Sequence, residues 1–233
     1  MFKGMRFEAE LAGNEAVPAG VIRERVYGAV RVVAEWPADL TTPELRIAVE
    51  VLGDVDRRNA PAYVELFFHD VFLLLNLASP GSFGGTLSIT GGELRVRELT
   101  FHPHVFASAA GLPQLPLPSV IAWYDALQTG TQQVATSDEA KALFQLLRLG
   151  RAEEDEEQSI VRLATAVEAL RVAPEPRLLA LRDELLHGRI PIFHPMHDDG
   201  LDARVEDATR QWIGIADAAA TLVIRTLQER VVR

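Results

Sequence analysis

The sequence predicts an α+β protein: a strand-rich N-terminal domain with one buried helix, followed by an all-α helical bundle. Three observations predict this. In several segments of the first half, apolar residues recur at every second position, the period of a half-buried strand. From Ser119 onward they recur at every third or fourth position, the period of a helix. Between the two patterns lies Gly111-Leu-Pro-Gln-Leu-Pro-Leu-Pro118, whose prolines disfavour both helix interior and sheet ladder. The chain therefore divides into residues 1–112, a stiff proline-rich linker at 113–118, and a bundle at 119–233.

In the first part, Met5–Leu11 alternates Phe7, Ala9 and Leu11 against Arg6, Glu8 and Glu10. Val21–Trp36 is valine-rich and reads as one long strand or as a hairpin bent near Gly28. Glu44–Leu52 alternates again through Leu45, Ile47, Val49 and Val51. Thr86–Thr90 and Glu93–Phe101 flank Gly91-Gly92, a short hairpin signal. One helix interrupts the strands. Asn59 can cap it, Pro61 suits its first turn, and Pro80-Gly81 lies beyond its end. Its body, Tyr63–Leu77, is apolar nearly all round, so it should be well buried.

The second part reads as consecutive amphipathic helices with short connections, which gives a bundle. Ser119–Thr129 carries Val120, Trp123, Tyr124 and Leu127. Thr136-Ser-Asp-Glu139 has the form of a capping box. It should open a helix that packs through Ala140, Leu143, Phe144 and Leu147. Glu153–Leu170 places Ile160, Leu163, Val167 and Leu170 on one face, and Pro176–His187 carries five leucines. Asp202–Arg230 is expected to be one long helix, with Val205, Ala208, Trp212, Ile215, Ala219, Leu222 and Val223 on its apolar side.

Composition narrows the function. Of 233 residues, 48% are apolar and 24% charged, an ordinary globular balance. There is no cysteine, which excludes disulfides and thiolate metal sites. The formal charge of −10 counts against a protein that coats nucleic acid, but it leaves room for an enzyme with a local arginine cluster. Glu8 and Glu10 stand where a signal peptide keeps its apolar core, and the longest apolar stretch, Val71–Ala78, contains Asn76. The expectation is a soluble, cytoplasmic protein without a membrane span.

The richest segment for chemistry is Leu181-Arg-Asp-Glu-Leu-Leu-His-Gly188. It sets Arg182 five residues before His187. On a helix, Asp183 and His187 are i and i+4 and share a face, so the carboxylate could orient the imidazole. Gly188 has the character of a C′ glycine, which puts His187 in the last turn, where the helix dipole favours a cation. Arginine offers fixed charge and a fork for phosphoryl oxygens, and histidine offers a titrating proton. The bare Arg-x4-His spacing recurs at Arg97–His102 and Arg189–His194. The first lies in a predicted strand and the second is interrupted by Pro191, so context selects Arg182.

Residues 119–233 resemble HEPN domains, in particular the Apea-like branch. Three features carry the resemblance: the helix ending Arg182-Asp-Glu-Leu-Leu-His187-Gly188, the segment Ala164-Thr-Ala-Val-Glu-Ala-Leu170, and a long closing helix after a variable loop. It covers about half the chain and none of the first part. The resemblance implies a homodimer formed through the bundle. It implies metal-independent RNA cleavage, with the 2′-hydroxyl attacking the adjacent phosphate, as in stress-response, toxin–antitoxin and phage-defence ribonucleases. Arg182 would stabilise the phosphorane, His187 would act as general acid or base, and Asp183 would orient His187. Glu168 reads as a buried glutamate that pairs with a facing arginine, Arg182 being a candidate, and so positions it.

A second reading keeps the same residues without catalysis. His187 is then a helix-end histidine satisfied by Asp183, and Arg182 pairs with surface acids. The chain becomes a dimerisation or sensor module whose N-terminal domain binds a ligand or protein partner. His102 with His104, and His194 with His197, Asp198 and Asp199, have ligand-like spacing, but neither has a partner cluster that completes a tetrahedral set, so no metal is expected. His69 reads as a hydrogen-bonded core residue, and Glu153–Glu157 as a solvated helix start. Gly81–Gly85 and Gly91-Gly92 lack the spacing of a phosphate loop, so no cofactor is expected.

Overall fold

In the computed structural model, residues 5–9, 20–27, 30–36, 46–51, 60–91, 94–101, 104–130, 137–150, 156–173, 176–187 and 199–233 are described. They form six strands and seven helices, strands first and helices after, apart from one helix set among the strands. The chain separates into two compact units, Met1–Tyr124 and Asp125–Arg233.

The first unit holds two antiparallel three-stranded sheets. In one, β2 (Gly20–Tyr27), β3 (Val30–Trp36) and β4 (Arg46–Val51) lie in sequence order. The valine-rich segment is thus a hairpin, with Tyr27 opposite Val30. Val32 and Ala34 of β3 are fully buried, so alternate residues of the central strand face the core. Edge strand β2 carries exposed Val21 and Val26, which would invite pairing with another chain. A register break between Val21 and Arg23 and the inward-pointing Arg23 both discourage it. The other sheet joins β1 (Met5–Ala9) to the middle strand β5 (Gly85–Gly91), which forms a hairpin with β6 (Leu94–Phe101).

Helix α1 (Ala60–Ala78) is the core of this unit. Val64, Phe67, Phe68, Val71, Phe72, Leu74, Leu75 and Leu77 are all buried, more than one face can hold, as its apolar composition requires. Asn76 is fully buried and fully used. Its Nδ2 donates to Phe72 O (3.1 Å) and Phe83 O (2.9 Å), and its Oδ1 accepts from Phe83 N (3.4 Å). The side chain thus staples the loop after α1 to the helix. That loop turns at Gly81, whose φ of +74° favours glycine. A Cβ there would also lie 2.8 Å from Ala107 Cα in α2 (His104–Ala107).

The proline-rich segment belongs to the first unit. Leu115 N donates to Ala78 O (2.8 Å), and Leu117 and Val120 are buried. Pro118 sits in the first turn of α3 (Leu117–Gly130), where a missing N–H costs nothing. The division between units falls inside α3, after Tyr124, beyond the predicted linker.

The second unit is a bundle of α4 (Asp138–Gly150), α5 (Glu156–Leu170), α6 (Pro176–Leu186) and α7 (Asp199–Val232). Helix α5 is central and packs against the other three. Its small residues Ala164 and Ala166 are buried along with Ile160, Leu163, Val167 and Leu170. Two expectations for α4 are corrected. The cap is Ser137, not Thr136, which lies outside the described residues. Ser137 Oγ accepts from Ala140 N (3.0 Å), and its carbonyl accepts from Lys141 N (3.1 Å). Glu139 is then the second residue of the helix, and its carboxylate pairs with Arg230 of α7. The buried face is Ala142, Leu143, Leu146 and Leu149, while Phe144 is 53% exposed and lies beneath the Arg148 guanidinium.

Helix α5 ends in a Schellman motif. Val172 N donates to Val167 O (3.3 Å), Arg171 N donates to Glu168 O (3.1 Å), and Arg171 holds φ +56°. Arg230 Nη2 donates to Leu170 O (2.8 Å), capping the same helix end from α7. No helix among the described residues is long and apolar enough to cross a membrane.

Candidate functional site

Helix α6 starts at Pro176, whose fixed φ suits a first helical residue. Leu178 and Leu181 are buried and seat it on the bundle. Arg182, next to that seam, is only 18% exposed, so its stem is covered while its head reaches α5. There Nη1 lies 2.6 Å from Glu168 Oε1. On its own helix, Nε and Nη2 donate to Asp183 Oδ1 at 3.1 and 2.9 Å. The hydrogen bonds with Glu168 and then Asp183 raise the Arg182 pKa above its ordinary value, so the guanidinium is charged at every working pH.

The pair Glu168–Arg182 thus forms, but Glu168 is not buried: it is 50% exposed, on the rim of α5. Asp183 also departs from expectation. Its carboxylate serves Arg182, and no bond to the His187 imidazole is found. The physical reason is competition. A guanidinium one residue away is a permanent cation with parallel donors, and a charge-assisted fork outweighs a bond to an imidazole. The link from Asp183 to His187 is through the backbone: His187 N donates to Asp183 O (3.1 Å), which carries helical geometry one residue past Leu186. The His187 side chain is exposed, and among the described residues no hydrogen bond or ion pair holds it. Gly188 lies outside the described residues.

No family model, curated protein or solved structure matches this chain. What the site can do therefore follows from its own chemistry: the guanidinium of Arg182 and the exposed imidazole of His187 on the last two turns of one helix.

Arg97 lies in β6, and His102 is outside the described residues, as are Arg189, His194, His197 and Asp198. His104 opens α2 and Asp199 opens α7. Of the acidic run, Glu156 and Glu157 begin α5 and the rest is outside the described residues. Among the described residues no group of three or more His, Asp or Glu is arranged to hold a metal ion.

The first unit contains a polar cluster that periodicity did not reveal. Buried Arg23 of β2 lies 3.7 Å from Asp70 of α1 and 5.3 Å above the Tyr124 ring, and Tyr124 Oη donates to Asp70 Oδ1 (2.6 Å). Next to Asp70 on α1, His69 is buried 3.9 Å from Glu65, one turn earlier on the helix. The signal was two adjacent titratable residues, His69-Asp70, inside a helix that is otherwise apolar nearly all round. A carboxylate in such a helix requires a partner from another element.

Proposed function

We propose that the C-terminal helices form a HEPN-type module of the Apea-like branch, acting as a metal-independent endoribonuclease in stress response or phage defence. One observation carries the reading: α6 ends with Arg182 anchored on α5 and the His187 imidazole open to solvent. In the reaction the RNA 2′-oxygen bonds to the adjacent phosphorus and its proton passes to a neutral imidazole. The P–O5′ bond breaks, and the departing oxygen takes a proton from an imidazolium, leaving a 2′,3′-cyclic phosphate. Arg182 holds the non-bridging oxygens as charge builds on them. A homodimer through the bundle would supply one His187 as base and the second as acid. An antitoxin or other protein partner would restrain the activity.

The test is cleavage of a structured RNA by purified protein in excess EDTA. Wild type should cleave, and His187→Ala should lose about 100-fold or more, the usual worth of acid–base catalysis. Equal residual cleavage by both proteins would sink the proposal.

A second reading, a noncatalytic dimerisation or sensor module whose first unit binds a ligand or partner, draws on a different observation. Arg182 is already engaged by two carboxylates, as a structural ion pair would be. Unchanged function in cells after joint replacement of Arg182 and His187 would favour it.

A further inference from the structure

We propose that Glu168 and Asp183 form a displaceable carboxylate cage on Arg182, which closes the phosphate-binding fork in the resting protein. The inference rests on the ribonuclease reading and concerns how that same site is regulated. A guanidinium has five N–H donors, and its most useful edge for a phosphate is a parallel pair. The Nε–Nη2 edge is filled by Asp183 Oδ1, and Nη1 is held by Glu168 Oε1 at 2.6 Å. Two carboxylates thus outnumber one cation, so an approaching phosphate meets net negative charge in a chain that already carries −10. A substrate must exchange with at least one carboxylate before it can use the fork.

Exposure makes this a gate and not a core lock. Glu168 and Asp183 are 50% and 59% exposed, whereas Arg182 is 18% exposed. Either carboxylate can swing into water and regain its hydration, at the small cost typical of surface pairs. The arginine cannot follow, because its stem is covered. The mobile partners are therefore the anions and the fixed partner is the cation, the order that competitive displacement by another anion requires. A positioning role for Glu168 makes the opposite prediction, since loss of its charge would then weaken RNA binding.

The experiment uses the full chain and a fluorescein-labelled 2′-O-methyl oligoribonucleotide, which lacks the attacking hydroxyl and stays intact. Anisotropy titrations at low salt compare wild type, Glu168→Gln, Asp183→Asn, the double variant, and the double variant with Arg182→Ala. Each single change should tighten binding by about three- to tenfold, less as salt is added, because one like charge within a few ångströms of the phosphate is removed. The double variant should bind tighter still, and Arg182→Ala should erase the gain. Circular dichroism melts establish that each variant is folded. Unchanged or weaker binding in both single variants overturns the cage, as does a gain that survives Arg182→Ala or no binding by any protein. RNA cleavage that depends on His187 without tighter binding in the variants keeps the ribonuclease and removes the cage. Tighter, Arg182-dependent binding without cleavage does the reverse.

Discussion

Replacing Arg171 by glycine isolates a single backbone cost. Arg171 is the C′ residue of α5 and holds φ +56°, where an L side chain crowds the following carbonyl. Relief of that crowding is worth about 1–2 kcal/mol. Glycine gives back about 0.5–1 kcal/mol through the greater freedom of the unfolded chain. The side chain itself contributes little. It is 83% exposed, and its 3.3 Å contact with Asp138 is a solvated pair that adds next to nothing. The net expectation is a gain of about 0.5–1 kcal/mol, equivalent to a rise of about 2–6 °C in Tm for a unit of this size. Thermal and urea melts of Arg171→Gly test it, with slower amide exchange in α5 placing the effect in the second unit. Arg171→Ala is the control: it deletes the ion pair but keeps the Cβ, so it should not stabilise. If Arg171→Gly melts at or below the wild-type temperature, or if Arg171→Ala matches it, the backbone account is wrong.

Three further outcomes follow from the packing. Arg230→Met removes the Glu139 partner and the cap on Leu170 O, and should cost about 2–3 kcal/mol in urea melts; adding Glu139→Gln should recover part of that, as a double-mutant cycle would show. Gly81→Ala should cost at least about 2 kcal/mol in the first unit, since it meets both a positive φ and the Ala107 backbone at 2.8 Å. The bidentate pair of Arg31 with Glu24, at 2.8 and 3.1 Å, holds the Glu24 carboxyl below its usual range. A depressed carboxyl pKa adds stability above the unfolded value and loses it as pH falls through the folded one. Carboxyl NMR titration should show that low inflection, and Arg31→Gln should return it to the ordinary glutamate range.

Periodicity located the elements because burial leaves a repeating mark. Val32 and Ala34 sit on the inner face of β3, and Tyr63–Leu77 lies within α1, because alternating and all-round apolar patterns have one stable answer each. Choices between near-equal local options were not fixed by pattern. Thr136 and Ser137 are adjacent hydroxyl residues, and the one that caps α4 depends on where the helix must start to reach α5. Phe144 fits a helical period as well as Leu146 does, yet the buried arc turned toward Leu146, and Phe144 found cover under Arg148. Prolines mark a stiff segment, but stiffness does not distinguish a span between units from a strap on one of them; the bond from Leu115 to Ala78 does.

The site shows the same limit in electrostatic form. Helical spacing put Asp183 within reach of His187, and it is equally within reach of Arg182. Spacing lists the possible partners, whereas charge ranks them: a permanent cation with two parallel donors outcompetes an imidazole that is charged only when protonated. Glu168 then joins the stronger competitor from α5. That ranking also explains why His187 is left solvated at the helix end. One carboxylate cannot serve both neighbours, so the pairing of Asp183 with Arg182 and the exposure of His187 are two results of one preference.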